Sequence, residues 1–287
     1  MPAAFVLLAL AVCATWARPM AVGRWRLAPW LLLFIAAIVA GMLTGVLEWP
    51  GLIALAALAY CAYRTGRNDA SRAQQWVFGI ATALLTLALA LHRLPGFHNP
   101  VLLANAILAP DAAPFTQYAN FDKGAAGAIL LACLCRQAGS AKAWRKSSSL
   151  ALVIVLATIA IVLVTALMLG HVRFAPKLIA YAPVFLLVNL FFTCVAEEAF
   201  FRGFMQERMA RALACRRGGA YLAIAVSALL FGLAHAGGGA VMVMLATLAG
   251  LGYAIAYAKA GTIEAPILVH FALNAVHFIG FSYPYLR

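Results

Sequence analysis

Long apolar runs recur along this chain at near-even spacing, and the longer ones have the ~20 residues a helix needs to cross a hydrocarbon core of about 30 Å. They can be delimited at about 2–17, 27–47, 50–63, 76–92, 123–135, 149–170, 178–207, 220–236, 240–258 and 264–281. With 66% of its 287 residues hydrophobic and 10% charged, the chain falls outside the range of a soluble domain. Open sheets cannot cross lipid, because their edges leave backbone groups unbonded. The expected fold class is therefore all-α, a polytopic transmembrane helical bundle of about 8–10 membrane segments. The runs at 50–63 and 123–135 are short for a span, so tilted, re-entrant and interfacial placements are all open to them. Pro2 to Trp16 resembles a signal-peptide core. No basic residue precedes it, however, Arg18-Pro19 follows it, and Ala14-Thr15-Trp16-Ala17 is a poor cleavage site, so a retained first helix is expected.

The formal charge of +13 raises a nucleic-acid partner, and the placement of the charges argues against one. Arg18/Arg24/Arg26, Arg64/Arg67/Arg72, Arg136/Lys142/Arg145/Lys146, Arg208/Arg211/Arg216/Arg217 and Lys259 occupy alternate loops. The intervening loops and the C-terminus hold only Arg93, Lys123, Arg173, Lys177 and Arg287. By the positive-inside rule the first set is cytoplasmic and both termini are outside, with the lipid bilayer as the partner of the basic surface. A composition rich in alanine, leucine and arginine points to a bacterial cytoplasmic (inner) membrane. The six cysteines lie in or beside apolar segments without metal-ligand spacing and read as small core residues.

The basic linker from Arg136 to Ser149 divides the chain into an N-terminal transmembrane region, 1–148, and a C-terminal region, 149–287. Only the second carries polar constellations inside its apolar runs. The loop between His92 and Asp122 is rich in turn formers and holds one apolar piece, Val101 to Leu108, too short to span; a surface segment, a cover and an ordinary connector all fit it. No internal repeat is evident, which weighs against a transporter.

Glu197 and Glu198 stand between Val188–Ala196 and Ala199-Phe200-Phe201, a stretch otherwise fit for lipid. Ionisable groups at that depth cost several kcal/mol unless they are paired or line a wet cavity, so a functional site and a structural ion pair are the two readings. The segment after Pro183 reads helical through about Ala214. On it Glu198 and Arg202 are i,i+4 neighbours in the favourable acid-first order and can pair. Glu197 points about 100° away and is left to face a cavity as a base. Phe231-Gly232-Leu233-Ala234-His235 places His235 near a helix end before Gly237-Gly238-Gly239, where a packing histidine and a catalytic one both fit. His270 and Asn274 share a helix face opened by Pro266, and they read equally as interhelical hydrogen-bond donors or as donors to an oxyanion.

In combination, Glu197-Glu198-x-x-x-Arg202, Phe231-x-x-x-His235 and His270-x-x-x-Asn274 resemble the motifs of the CAAX prenyl endopeptidase type II and bacteriocin-processing (CPBP, or Abi) family of intramembrane glutamic proteases. The resemblance covers roughly 180–280, and Asn120-Phe121-Asp122-Lys123 is similar, much more weakly, to a segment before the core in some bacterial members. It implies a polar catalytic chamber in the C-terminal half and an endopeptidase with no metal and no cofactor. Glu197 and His235 would activate a water, His270 and Asn274 would stabilise the oxyanion, and Glu198 and Arg202 would support the site. The implied partner is a membrane-anchored protein or peptide, whether a prenylated tail, a bacteriocin precursor or a sorting tail. Two other readings stand beside it. One is a zinc hydrolase using Glu197, His235 and His270, disfavoured because no His-Glu-x-x-His is present. The other is a non-enzymatic transporter or regulator.

Overall fold

Proline and serine set the helix starts. Pro29, Pro50 and Pro183 lie at the first or second helical position, where a missing N–H costs nothing. Ser71 and Gln74 close a reciprocal capping box, and Ser140 accepts from the Ala143 amide. The computed structural model describes residues 3–23, 25–67 and 71–287; Pro2 of the leading apolar run and Arg24 of the first basic loop lie outside the described residues.

Among the described residues the helices are α1 (Ala3–Ala14), α2 (Pro29–Leu43), α3 (Trp49–Gly66), α4 (Arg72–Ala90), α5 (Phe121–Leu134), α6 (Ala141–Met168), α7 (Ala182–Ala212), α8 (Gly219–Leu233), α9 (Gly239–Ala260) and α10 (Glu264–Gly280). The protein is an all-α polytopic helical bundle. Helices α4, α6 and α7, and α9 with the 3₁₀ turn Ala236–Gly238 before it, are long and apolar enough to cross a membrane, while α1, α2, α8 and α10 are apolar but shorter. The outward residues of α6 include Leu152, Val153, Leu156, Ile161 and Val164, and those of α4 include Trp76, Val77, Ile80 and Leu84. Such contiguous apolar faces suit lipid and would be an aggregation surface in water. The sequence and these helices make this an integral membrane protein.

Two features depart from the expected continuous α-helices joined by loops. Among the described residues two hairpins occur, β1 (Met20–Val22) antiparallel with β2 (Trp25–Leu27), and β3 (Val101–Ala106) with β4 (Phe115–Tyr118). The second takes up the apolar piece of the 92–122 loop. Helix α7 is also not α-helical throughout: Asn189–Cys194 and Ala199–Gln206 are π-helical, flanking the single α turn Val195–Glu198 that carries both glutamates. Insertions of π geometry are rare and concentrate at functional sites.

The chain forms two compact units. The first comprises Met1–Val101, Tyr118–Cys135 and Phe191–Phe200. Its centre is α5, in which every residue from Gly124 to Leu131 is buried, packed by α1, α3, α4 and the middle of α7. Phe5 meets the rings of Phe121 and Phe192 edge-on at 5.7 and 5.8 Å. A Cβ at Gly127 would lie 2.6 Å from the Ala196 Cα, so only glycine lets these backbones come so close.

The second unit comprises Leu102–Gln117, Arg136–Leu190 and Phe201–Arg287. Here α9 packs against α6, α8 and α10, and α6 also packs against α10. The hairpin belongs largely to this unit. Tyr181 donates to Gln117, Phe115 packs on Phe185 and Tyr283, and the C-terminal tail bridges to the hairpin turn at Ala112–Leu286. Within the 92–122 loop the segment Leu102–Gln117 is thus a folded element of the second unit rather than a bare connector.

Candidate active site

The first unit holds Glu197 and Glu198 in different surroundings. Glu198 is fully buried, whereas the Glu197 side chain retains 15% exposure and its Oε1 receives a hydrogen bond from Lys123 Nζ at 2.6 Å. Lys123 comes from the first turn of α5, 74 positions earlier in the chain. Its backbone is fixed by a polar cluster at that helix start. The Phe121 amide donates to Asn99 Oδ1 at 2.7 Å, and the Lys123 amide donates to Asp122 Oδ1 at 2.8 Å. Asn99 Nδ2 donates to the same Asp122 oxygen, and His92 Nδ1 meets Asp122 Oδ2 at 2.6 Å.

The second unit gathers Arg202, His235 and His270 around two aromatic rings. Arg202, on the second π stretch of α7, is fully buried and donates from Nη2 to the Gly250 carbonyl of α9 at 2.9 Å. Its guanidinium lies 4.7 Å from the Phe231 ring centre and 5.3 Å from that of Tyr253, within cation–π range of both. Phe231 meets His270 edge-on at 5.6 Å and the His235 ring at 4.7 Å, and His270 stacks flat on Tyr253 at 4.5 Å. Two imidazoles and a guanidinium are thus held by packing against rigid rings.

His235 lies two residues beyond α8 and leads into the 3₁₀ turn; Gly239, with φ +84°, then begins α9 in a conformation suited to glycine. Its Nδ1 is 2.8 Å from the Phe231 carbonyl, which can only accept. Nδ1 therefore carries the proton, and in the neutral ring Nε2 presents a lone pair. On α10, His270 is buried and Asn274 Nδ2 donates to Asn189 Oδ1 at 3.2 Å, where Asn189 opens the first π stretch of α7. Among the described residues no group of three or more His, Cys, Asp or Glu side chains is gathered as a metal site requires.

Sequence spacing identified the motif residues and missed their supports. Lys123 touches Glu197, Tyr253 touches Arg202, Phe231 and His270, and Asn189 touches Asn274, and none of the three stands at a motif spacing to its partners. Asn120-Phe121-Asp122-Lys123, the weaker of the sequence resemblances, was the one signal that pointed toward Lys123. For Tyr253 and Asn189 an aromatic and an amide inside apolar helices carry no distinguishing pattern.

No curated protein and no solved structure matches the chain. All three motifs fall within residues 179–276, the segment that matches the family model described as Type II CAAX prenyl endopeptidase Rce1-like, so over this segment the chain is similar to a CAAX-protease type of membrane endopeptidase.

Proposed function

We propose that the protein is an intramembrane endopeptidase of the glutamic type, hydrolysing a peptide bond of a membrane-anchored protein or peptide without a metal, in a bacterial cytoplasmic membrane. The observation that carries this reading is the family match, which spans Glu197, Glu198, Arg202, Phe231, His235, His270 and Asn274. In the proposed reaction Glu197, with His235, takes a proton from water, and the resulting hydroxide attacks the scissile carbonyl carbon. His270 and Asn274 donate hydrogen bonds to the oxyanion of the tetrahedral intermediate. Collapse of that intermediate breaks the C–N bond as the proton passes to the leaving amine. Glu198 and Arg202 pair as buried counter-charges that hold the helix carrying Glu197.

Several local features support these roles. The Nδ1–H tautomer of His235 leaves Nε2 as the acceptor that water activation needs, and stacking on Tyr253 restricts the His270 ring. Asn189 orients the Asn274 amide through its Oδ1. Asn189→Leu is accordingly expected to lower kcat about tenfold, the scale of losing a group that orients a functional one, with KM little changed. An unchanged kcat would show that Asn274 is oriented without it.

The function itself is tested by comparing protein termini in membranes of cells expressing the wild type or Glu197→Ala at equal level. New termini present only with the wild type are expected. Identical sets would leave a non-enzymatic membrane protein as the reading. Cleavage by the purified enzyme should persist after exhaustive chelation, whereas loss restored by zinc would replace the glutamic mechanism with a zinc hydrolase.

A further inference from the structure

We propose that Lys123 is a positioning residue for the peptidase reaction: its ammonium holds the Glu197 carboxylate through Oε1 and sets the direction in which that carboxylate meets water. The inference rests on Glu197 acting as the base, and it concerns a residue outside the segment that matches the family.

Three observations on the first unit converge on it. The ion pair is short, 2.6 Å, and the two side chains are only 16% and 15% exposed. The lysine is delivered by a fixed backbone, since Asn99 and His92 from the preceding loop hold Phe121 and Asp122 in the first turn of α5, and Asp122 accepts from the Lys123 amide. His92 itself adopts φ +56°, uncommon for a residue with a side chain and sustained where surrounding contacts over-determine it. Third, Gly127 lies one turn beyond Lys123 on the same face of α5 and brings that backbone against Ala196, the neighbour of Glu197.

Fold stability does not call for this arrangement. Replacing both members of a buried ion pair with apolar side chains of similar size is often neutral or stabilising, so packing alone does not require charges at 123 and 197. A reacting carboxylate has a different need. In apolar surroundings it requires a counter-charge to be retained as an anion and a donor to restrict its rotation, because misplacement by about 1 Å can cost two orders of magnitude in rate. Lys123 supplies both through one contact, and the polar cluster at the start of α5 keeps its ammonium from wandering.

The test uses the full chain in lipid nanodiscs and, as probe, a peptide copying the most frequent wild-type-dependent cleavage site found by the comparison of termini. Lys123→Met is expected to lower kcat about 100-fold, with KM within about twofold of wild type, when rates are compared per folded protein; because one member of a buried pair is removed, the melting temperature falls as well. Lys123→Arg, which restores the charge and the donors, is expected to recover at least about tenfold of that loss. Asn99→Ala loosens the cluster while leaving the ammonium in place, and it is expected to give an intermediate kcat. It also serves as the deciding variant should Lys123→Met fail to accumulate. Wild-type kcat in Lys123→Met or Asn99→Ala, or a loss confined to KM, overturns the role of Lys123 while the peptidase reading stands. Wild-type activity in Glu197→Gln removes the peptidase reading itself.

Discussion

Glutamine in place of Glu197 is expected to lower the cleavage rate by about 10²- to 10⁴-fold, the contribution typical of a positioned general base. The substitution is nearly isosteric. An amide oxygen can still accept from Lys123 Nζ, so the contact between α5 and the α turn Val195–Glu198 need not be lost. What the amide cannot do is take a proton from water. The decisive measurement is single-turnover cleavage by variant and wild type, at matched amounts of folded protein judged by thermal unfolding. A large fall in rate with a small change in melting identifies a chemical role. Equal falls in both would make Glu197 a structural member of an ion pair, the alternative open from the sequence alone.

Arg202→Leu is expected to act on stability instead, with a cost of about 3–5 kcal/mol, the range for removing one partner of a buried charge pair. Arg202 is fully buried, its guanidinium serves the Gly250 carbonyl, and it lies against Phe201, Phe231 and Tyr253. Leucine removes the donor, the cation–π contacts and the counter-charge proposed for Glu198, and it leaves unfilled volume among three aromatic rings. Denaturation in detergent should show the loss, while Tyr253→Phe, which keeps the ring, should remain within about 1 kcal/mol of wild type. A stable Arg202→Leu protein that is inactive would move Arg202 from supporting the helix to the chemistry itself.

Much of the helical plan was legible because lipid leaves few options. Apolar runs of sufficient length must satisfy their backbones internally, and the run expected from Pro183 to about Ala214 is the helix Ala182–Ala212. The position of His235 just past a helix end was legible too, because three glycines follow it. Local pattern gave no warning of the π geometry at Asn189–Cys194 and Ala199–Gln206, since an apolar run reads the same with either hydrogen-bond spacing. Nor did Val101–Leu108 announce a strand, because its partner Phe115–Tyr118 offers only four residues and the pairing is made beyond a turn.

The motif residue types and their order along the chain, with two acids and an arginine, then a histidine, then a histidine and an amide, are properties of covalent spacing, and a linear reading finds them. Which side chains steady them is a property of packing. Lys123 reaches Glu197 because Gly127 admits Ala196, Tyr253 lies under His270 because α9 packs against α10, and Asn189 meets Asn274 across 85 positions. Contacts between residues so distant in sequence leave no periodic trace, because each depends on how closely two helices approach. Tertiary structure alone sets that distance.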